Sequence, residues 1–228
     1  MDQLNHSQPV NTQAQVYKWS RAHLYNVLSS GKKPILTQPE LLAAFQLVDR
    51  ARFIPATNIS DAYNDIDLEV GFGQILDSPV TIAHMLSALQ LESGAKVLDL
   101  GTGSGYVAAL LSQIVGSSGK VYSLERNQQL ASIARQKLAP YEINHNTEIV
   151  FTDGTEGLLS RAPFDAIYVG FAYAQLPHSL IEQLAIGANI VVPLTSLQIK
   201  LIKRISVTEF QESIIAIKHF TKLIPGVE

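Results

Sequence analysis

The chain contains no cysteine. Disulfides, thiolate nucleophiles and cysteine-based zinc sites are therefore excluded, and the composition fits a reducing cytoplasm. Charge is also scarce: 17 Lys and Arg against 20 Asp and Glu leave a net charge of −3 over 228 residues, with no basic block. Such a balance carries no electrostatic footprint for nucleic acid, so no polyanion partner is expected. Long apolar runs are missing. Segments such as IVVPL (190–194) are short and interrupted, far from the ~20 residues a membrane-spanning helix needs, so no membrane partner is expected. The opening MDQLNHSQPVNTQAQ lacks the basic and apolar regions of a secretory signal. Export is not expected, and residues 1–15 read as a polar tail. The six histidines show no metal-ligand spacing, so no metal is expected.

What is present is ample apolar content, 46% of the residues, enough for one core and one domain spanning 16–228. Val16, Trp19, His23, Leu24, Val27 and Leu28 recur at helical spacing over 16–30, with Gly31 and Pro34 as stops. Thr37 is expected to cap a second helix that opens at Gln38-Pro39-Glu40 and runs to about Pro55. Ala56 to Gly73 reads as loop, and Ser78-Pro79 as N-cap and first residue of a helix reaching about Gln90. From Ala95 onward short apolar strands alternate with helical segments: AKVLDL, YVAALLSQIV, KVYSLE, QQLASIARQKL, TEIVFTD, FDAIYVG, LPHSLIEQL and NIVVPL. That alternation predicts an α/β fold, a doubly wound and mostly parallel sheet, with residues 16–94 as a helical N-terminal segment and 95–228 as the sheet. LQIKLIKRISV and ESIIAIKHF are expected as two further strands, antiparallel at one edge.

The most informative stretch is VLDLGTGSGY, residues 97–106. A strand ends at Asp99-Leu100, and Gly101, Gly103 and Gly105 let the backbone turn tightly and approach a ligand at a helix N-terminus. The dinucleotide pattern G-x-G-x-x-G would put its third glycine at 106, where Tyr106 stands. NAD and FAD are disfavoured, and a dehydrogenase is the outside alternative. Glu125 closes the next strand about 20 residues on, where an acid can accept hydrogen bonds from ribose hydroxyls. Asp153-Gly154 closes the third strand, where a carboxylate can accept from an adenine amino group.

Asp99-x-Gly101-x-Gly103-x-Gly105, Glu125 and Asp153-Gly154 together resemble the S-adenosylmethionine site of class I methyltransferases, whose fold is Rossmann-like. VDRARFIP (48–55), AYNDIDLEVGFGQ (62–74), DGTEGL (153–158), APFDAIYV (162–169) and LIEQL (180–184) narrow the resemblance to protein-L-isoaspartate O-methyltransferases, over about residues 35–195. The resemblance implies S-adenosyl-L-methionine as cofactor and isoaspartyl proteins or peptides as partners. The free α-carboxylate of an isoaspartyl residue is methylated, and the ester then cyclises to a succinimide and returns partly to aspartate. It further implies cofactor contacts from Asp99, Gly101, Thr102, Gly103, Ser104, Gly105, Glu125, Asp153, Gly154 and Leu76. The catalytic positions it implies are Gln74, Asp77 and Ser78, and the acceptor contacts Phe72, Gly170, Phe171 and Ala172.

Two departures fall on that site. The family usually reads G-Q-T-I-S-x-P where this chain has Gly73-Gln74-Ile75-Leu76-Asp77-Ser78-Pro79, so a carboxylate replaces a serine. A carboxylate ~4 Å from an anionic acceptor costs roughly 1 to 4 kcal/mol at effective dielectrics of 80 to 20. Three accounts follow. Asp77 turns away or is protonated, or Ser78 supplies the hydroxyl; or Asp77 serves a hydroxyl or amine acceptor; or the cofactor pocket persists without transfer. Alternatively Asp77 is simply an acid favoured at a helix N-terminus. The second departure is Gly170-Phe171-Ala172-Tyr173-Ala174 in place of a small-residue run, with Phe171 and Tyr173 either reshaping the acceptor pocket or packing on the N-terminal segment. His84 reads as a packing residue on the cofactor side and His178 as a surface residue. Trp19 and Tyr17 read as core aromatics or as a cover for the cofactor.

Overall fold

A computed structural model describes residues 18–30, 32–141 and 144–228. The tail 1–15, Val16 and Tyr17 of the expected first helix, and Gly31, its expected stop, lie outside the described residues. Helix α1 spans Arg21–Ser29, capped by Ser20, whose side chain accepts from the His23 N–H. Its N-terminus is later than the apolar spacing predicts, because the capping hydroxyl sits at Ser20. Helix α2 covers Pro39–Leu47 only. Pro39 occupies the first turn as expected, but the cap position is Gln38, without a side-chain cap bond, and not Thr37. Val48 turns to extended backbone, and the expected continuation becomes a separate 3-10 turn, Arg50–Phe53, capped by Asp49.

The segment expected to be loop, Ala56 to Gly73, holds a 3-10 turn, Ala56–Asp61, and strand β1 (Leu68–Gly71), which forms a small antiparallel hairpin with β2 (Gln74–Leu76) just beyond it. Gly71, Phe72 and Gly73 all have positive φ in its turn. Arg50, only 1% exposed, fixes this region by donating to the carbonyls of Ala62 (2.7 Å), Ile66 (3.2 Å) and Asp77 (3.0 Å). Helix α3, Pro79–Leu89, begins and ends as the sequence predicts, with Ser78 as N-cap and Gln90 in the left-handed region as C-cap.

The remaining elements alternate: β3 (Lys96–Leu100), α4 (Tyr106–Val115), β4 (Lys120–Glu125), α5 (Gln128–Leu138), β5 (Thr147–Phe151), β6 (Phe164–Val169), α6 (His178–Glu182) and β7 (Leu184–Pro193). They close with β8 (Gln198–Arg204) and β9 (Phe210–Ile217). The seven-stranded sheet runs β5-β4-β3-β6-β7-β8-β9, parallel through β7 and antiparallel for the last two. This is the doubly wound, mostly parallel sheet with an antiparallel edge that the sequence predicts.

Alternate strand residues serve opposite faces. Val97, Val121, Ala166 and Val191 pack into a core shared with helices α1 to α4, while Leu98, Leu124, Ile167 and Ile190 pack into a second core that includes Leu180 and Ile181 of α6. The chain winds from β3 outward to β5, then returns to β6 on the other side of β3. At such a reversal the connections leave in opposite directions and open a crevice beyond the strand C-termini, where doubly wound sheets bind ligands.

Candidate functional site

That crevice is a cleft with about 670 Å³ of empty space, part of it open to solvent. Its floor is Gly101 and Gly103 after β3, Leu124 and Glu125 at the end of β4, Asp153-Gly154 after β5 and Gly170-Phe171 after β6. A smaller pocket of about 360 Å³ adjoins it, sharing Ile75, Gly101, Gly103 and Gly170, and is lined further by Leu76, Asp77, Thr102, Ser104 and Tyr168.

The glycine loop is held by its own sequence. Gly101 has φ +93°, and a Cβ there would lie 3.1 Å from Phe171 Cδ1, so both backbone angle and space demand glycine. Gly105 (φ +89°) is the N-cap of α4 and packs against Ala134. Glu125 is buried and braces the loop: Oε2 accepts from the Gly103 N–H (2.8 Å) and Oε1 from the Asn127 N–H (2.9 Å). Thr102 Oγ1 lies 2.5 Å from Ser123 Oγ, which donates to Asp99 Oδ2 at 2.6 Å.

Asp99 is fully buried, and among the described residues its Oδ1 has no partner. Burial pushes its carboxyl up to about 7, against the opposing Ser123 hydrogen bond and with the Glu125 charge adding to the rise. The Ser104 hydroxyl is likewise buried without a partner. Orphaned polar atoms cost free energy unless a ligand or water satisfies them.

Asp153 behaves differently. Its Oδ1 accepts from the Thr155 N–H (2.9 Å) and hydroxyl, and its Oδ2 from the Gly226 N–H (2.6 Å), so its pKa lies below the ordinary value despite partial burial. Gly226 belongs to a C-terminal strap that crosses the cleft and lends it Thr221, Lys222, Leu223 and Ile224. Ala172 exchanges backbone hydrogen bonds with Thr221 and Leu223, while Arg126 holds Gly226 O (2.9 Å) and Glu228 (2.9 Å).

Asp77 lines the inner pocket, and its Oδ1 lies 3.1 Å from Lys218 Nζ, just beyond β9. The same ammonium donates to Asp67 Oδ1 at 2.5 Å, and that oxygen also accepts from the Ser78 N–H at 2.8 Å. Burial pushes Asp77 up to about 6, with Lys218 and Arg50 pulling the other way and Asp67 adding to the rise.

The expected site residues divide. Gln74, Leu76, Asp77, Gly101, Thr102, Gly103, Ser104, Glu125, Asp153, Gly154, Gly170 and Phe171 line one pocket or both. Asp99, fully buried at the end of β3 behind the glycine loop, lines neither, nor does Ser78, its hydroxyl 3.0 Å from Thr81 Oγ1 at the start of α3. Phe72 is 52% exposed on the hairpin turn, Gly105 faces Ala134, and Ala172 anchors the strap. Tyr173 packs away from the N-terminal segment, its hydroxyl donating to Thr155 O (2.7 Å). Trp19 packs against the main core, His178 is on the surface beside Glu182, and His84 is exposed rather than packed toward the cleft. Arg50, Lys218 and the strap were not among the expected site residues. Lys218 is separated from Asp77 by 141 positions, and only the apolar strands preceding it mark where it arrives.

Comparison with known proteins follows the same lines. The family profile of protein-L-isoaspartate(D-aspartate) O-methyltransferase matches residues 22–227. A protein-L-isoaspartate O-methyltransferase of Fervidobacterium nodosum is 39% identical over 166 residues, covering 73% of this chain and 83% of its own. One of Methanococcus vannielii is 35% identical over 190 residues, covering 83% and 90%. A solved protein-L-isoaspartate O-methyltransferase superimposes with a TM-score of 0.77 at 24% identity, covering 91% of this chain and 67% of that one. A Plasmodium falciparum structure described as such an enzyme, in complex with S-adenosyl-L-homocysteine, gives 0.75 at 19% identity, covering 90% and 97%.

Proposed function

The chain belongs to the protein-L-isoaspartate(D-aspartate) O-methyltransferase family, and from that premise we propose that it methylates the free α-carboxylate of L-isoaspartyl residues in proteins and peptides. The observation that carries the reading is the unpartnered, fully buried Asp99 Oδ1 beside the glycine loop at the sheet's reversal point. An acceptor atom left bare in that place suits a ligand bearing a cationic amino group, as S-adenosyl-L-methionine does.

In this reading Asp99, Ser104 and the loop Gly101–Gly105 hold the amino-acid end of the cofactor, Glu125 the ribose and Asp153-Gly154 the adenine. Asp153 Oδ2 already takes the Gly226 N–H, and a second lone pair on that oxygen is left for the base. When bound, the cofactor supplies an electrophilic methyl on a sulfonium centre.

The remaining work is positioning. An α-carboxylate is ionised at neutral pH and needs no general base. Gln74, Ile75, Gly170 and Phe171 wall the cleft beside the inner pocket, so that they orient the acceptor oxygen and exclude water. Backbone N–H groups at the start of α4 are the donors proposed for the second oxygen, since the Gly170 and Ala172 N–H groups are taken by Leu100 O and Thr221 O. The domain 16–228 works as one unit in this proposal, with the strap serving as the roof of a site whose floor is the sheet.

No helix among the described residues is long and apolar enough to cross a membrane. Damaged cytoplasmic proteins are the proposed acceptors, consistent with a chain free of cysteine. The test is methyl transfer from labelled S-adenosyl-L-methionine to an isoaspartyl peptide, with the matching aspartyl peptide as control. Selective transfer supports the reading. Cofactor binding with no transfer to either peptide redirects the search to hydroxyl or amine acceptors, for which a carboxylate at position 77 would be a base.

A further inference from the structure

The inner pocket sets a carboxylate, Asp77, where an anionic acceptor is to be received. Its surroundings decide whether that is tolerable. Asp77 is faced by Lys218 beyond β9, by Asp67 before the hairpin, by the buried Arg50 guanidinium, and by Tyr168 from the sheet. Of the two cations, Arg50 bonds three backbone carbonyls, that of Asp77 among them, through its two terminal nitrogens, and its buried Nε has no partner among the described residues. Lys218 alone reaches the Asp77 side chain, at 3.1 Å, while bonding Asp67 and lying over the Phe220 ring at 5.4 Å. An ammonium with three donors and partners on two of them is fixed in place, with its side chain 22% exposed.

We propose that Lys218 is a specificity-determining positioning residue: by pairing with Asp77 it offsets the negative charge that this carboxylate brings to the acceptor edge and so admits a carboxylate acceptor. The inference rests on the isoaspartyl reading above. Lys218 acts through Asp77 and is not itself a catalytic residue. The pairing joins the residue before α3 to the segment after β9 and makes acceptor choice depend on both.

The experiment compares wild type, Lys218→Met, Asp77→Ser and the double variant, with KM and kcat for an isoaspartyl peptide and S-adenosyl-L-homocysteine affinity by calorimetry. Met keeps the length of the stem and removes the charge. Lys218→Met is expected to raise KM about tenfold or more while leaving kcat and cofactor-product affinity nearly unchanged. Adding Asp77→Ser returns KM toward the wild-type value, since the carboxylate that lines the pocket is gone and Asp67, the other partner of Lys218, lines neither pocket, and Lys218→Arg keeps KM low. In Lys218→Met, KM also falls as the pH is lowered through the Asp77 titration, because a protonated Asp77 no longer repels the acceptor; a purely structural role predicts no such dependence. An unchanged KM in Lys218→Met, a double variant as poor as the single one, or joint loss of product affinity and melting temperature each overturns the inference. A wild-type protein that leaves the isoaspartyl peptide unmethylated instead sinks the functional reading itself, and the inference with it. Active wild type with an indifferent Lys218→Met sinks only the latter.

Discussion

The Gly226 N–H donates to Asp153 Oδ2 at 2.6 Å, so a backbone amide of the C-terminal strap sits on the carboxylate proposed to read the adenine. Arg126 fastens the same turn through Gly226 O and Glu228. Arg126→Ala is expected to loosen the strap and weaken S-adenosyl-L-homocysteine binding by roughly five- to tenfold, mostly through faster dissociation. Stopped-flow release of the ligand checks this. An unchanged off-rate would mean the roof holds without its arginine.

Gly101→Ala introduces a Cβ at φ +93° and 3.1 Å from the Phe171 ring. Strain and contact together should cost ~1 to 3 kcal/mol of stability and abolish detectable ligand binding. Pairing it with Phe171→Ala removes the contact and leaves the backbone strain, so only part of the loss is recovered. Chemical denaturation of the three variants separates the two contributions.

Asp99 gives a pH prediction. Its carboxyl titrates near 7 in the fold and near 3.8 in its absence, so between those values the folded chain binds more protons and stability falls as pH rises. The loss is complete once pH exceeds the folded value. Asp99→Asn should therefore raise the melting temperature at pH 8 relative to wild type and make little difference at pH 4. Product affinity moves the opposite way: it tightens in wild type from pH 6 to 8 as the carboxylate ionises, and Asn flattens that profile. A wild-type profile that is already flat would remove Asp99 from the ligand's amino end.

Asp77→Ser alone leaves the Lys218–Asp67 pair in place and removes the second carboxylate that shares this ammonium. The KM for an isoaspartyl peptide is expected to drop severalfold at pH 7.5, with a smaller gain below pH 6, where burial has already favoured the protonated acid. Initial rates across that range decide it.

Arg50→Met removes the donors to three carbonyls and leaves them buried. A loss of ~2 to 5 kcal/mol is expected, with the hairpin and the start of α3 loosened together. Hydrogen exchange at Leu68–Leu76 and Thr81–Ile82 should rise in step; protection retained there would assign the hairpin to other contacts.

The sheet was legible because its strands are buried on both faces and its helices carry a distinct period, so AKVLDL or FDAIYV cannot be read as anything amphipathic. The α3 start was legible from two adjacent residues with known cap chemistry. The hairpin β1–β2 was not, since strands of four and three residues are too short to show alternation and are held by an arginine upstream of them. The shortened α2 had the same cause: apolar spacing continues through Val48 and Phe53, but Asp49 caps a new turn. At the site, the glycine loop and three acids were readable from strand ends. The Lys218 pairing was not, because contact across 141 positions leaves no local signature.

The strap also imposes an order in time. The strands from β3 to β7 and the glycine loop are all translated before Lys218 and Thr221–Ile224, which complete the acceptor edge and the roof. Domains begin to organise while synthesis continues, so a nascent chain can build its sheet while the ligand cleft still stands open to solvent. Capacity to enclose a ligand is thereby postponed until residues 218–226 have followed the sheet, and a chain halted before them would hold the floor of the cleft without its roof.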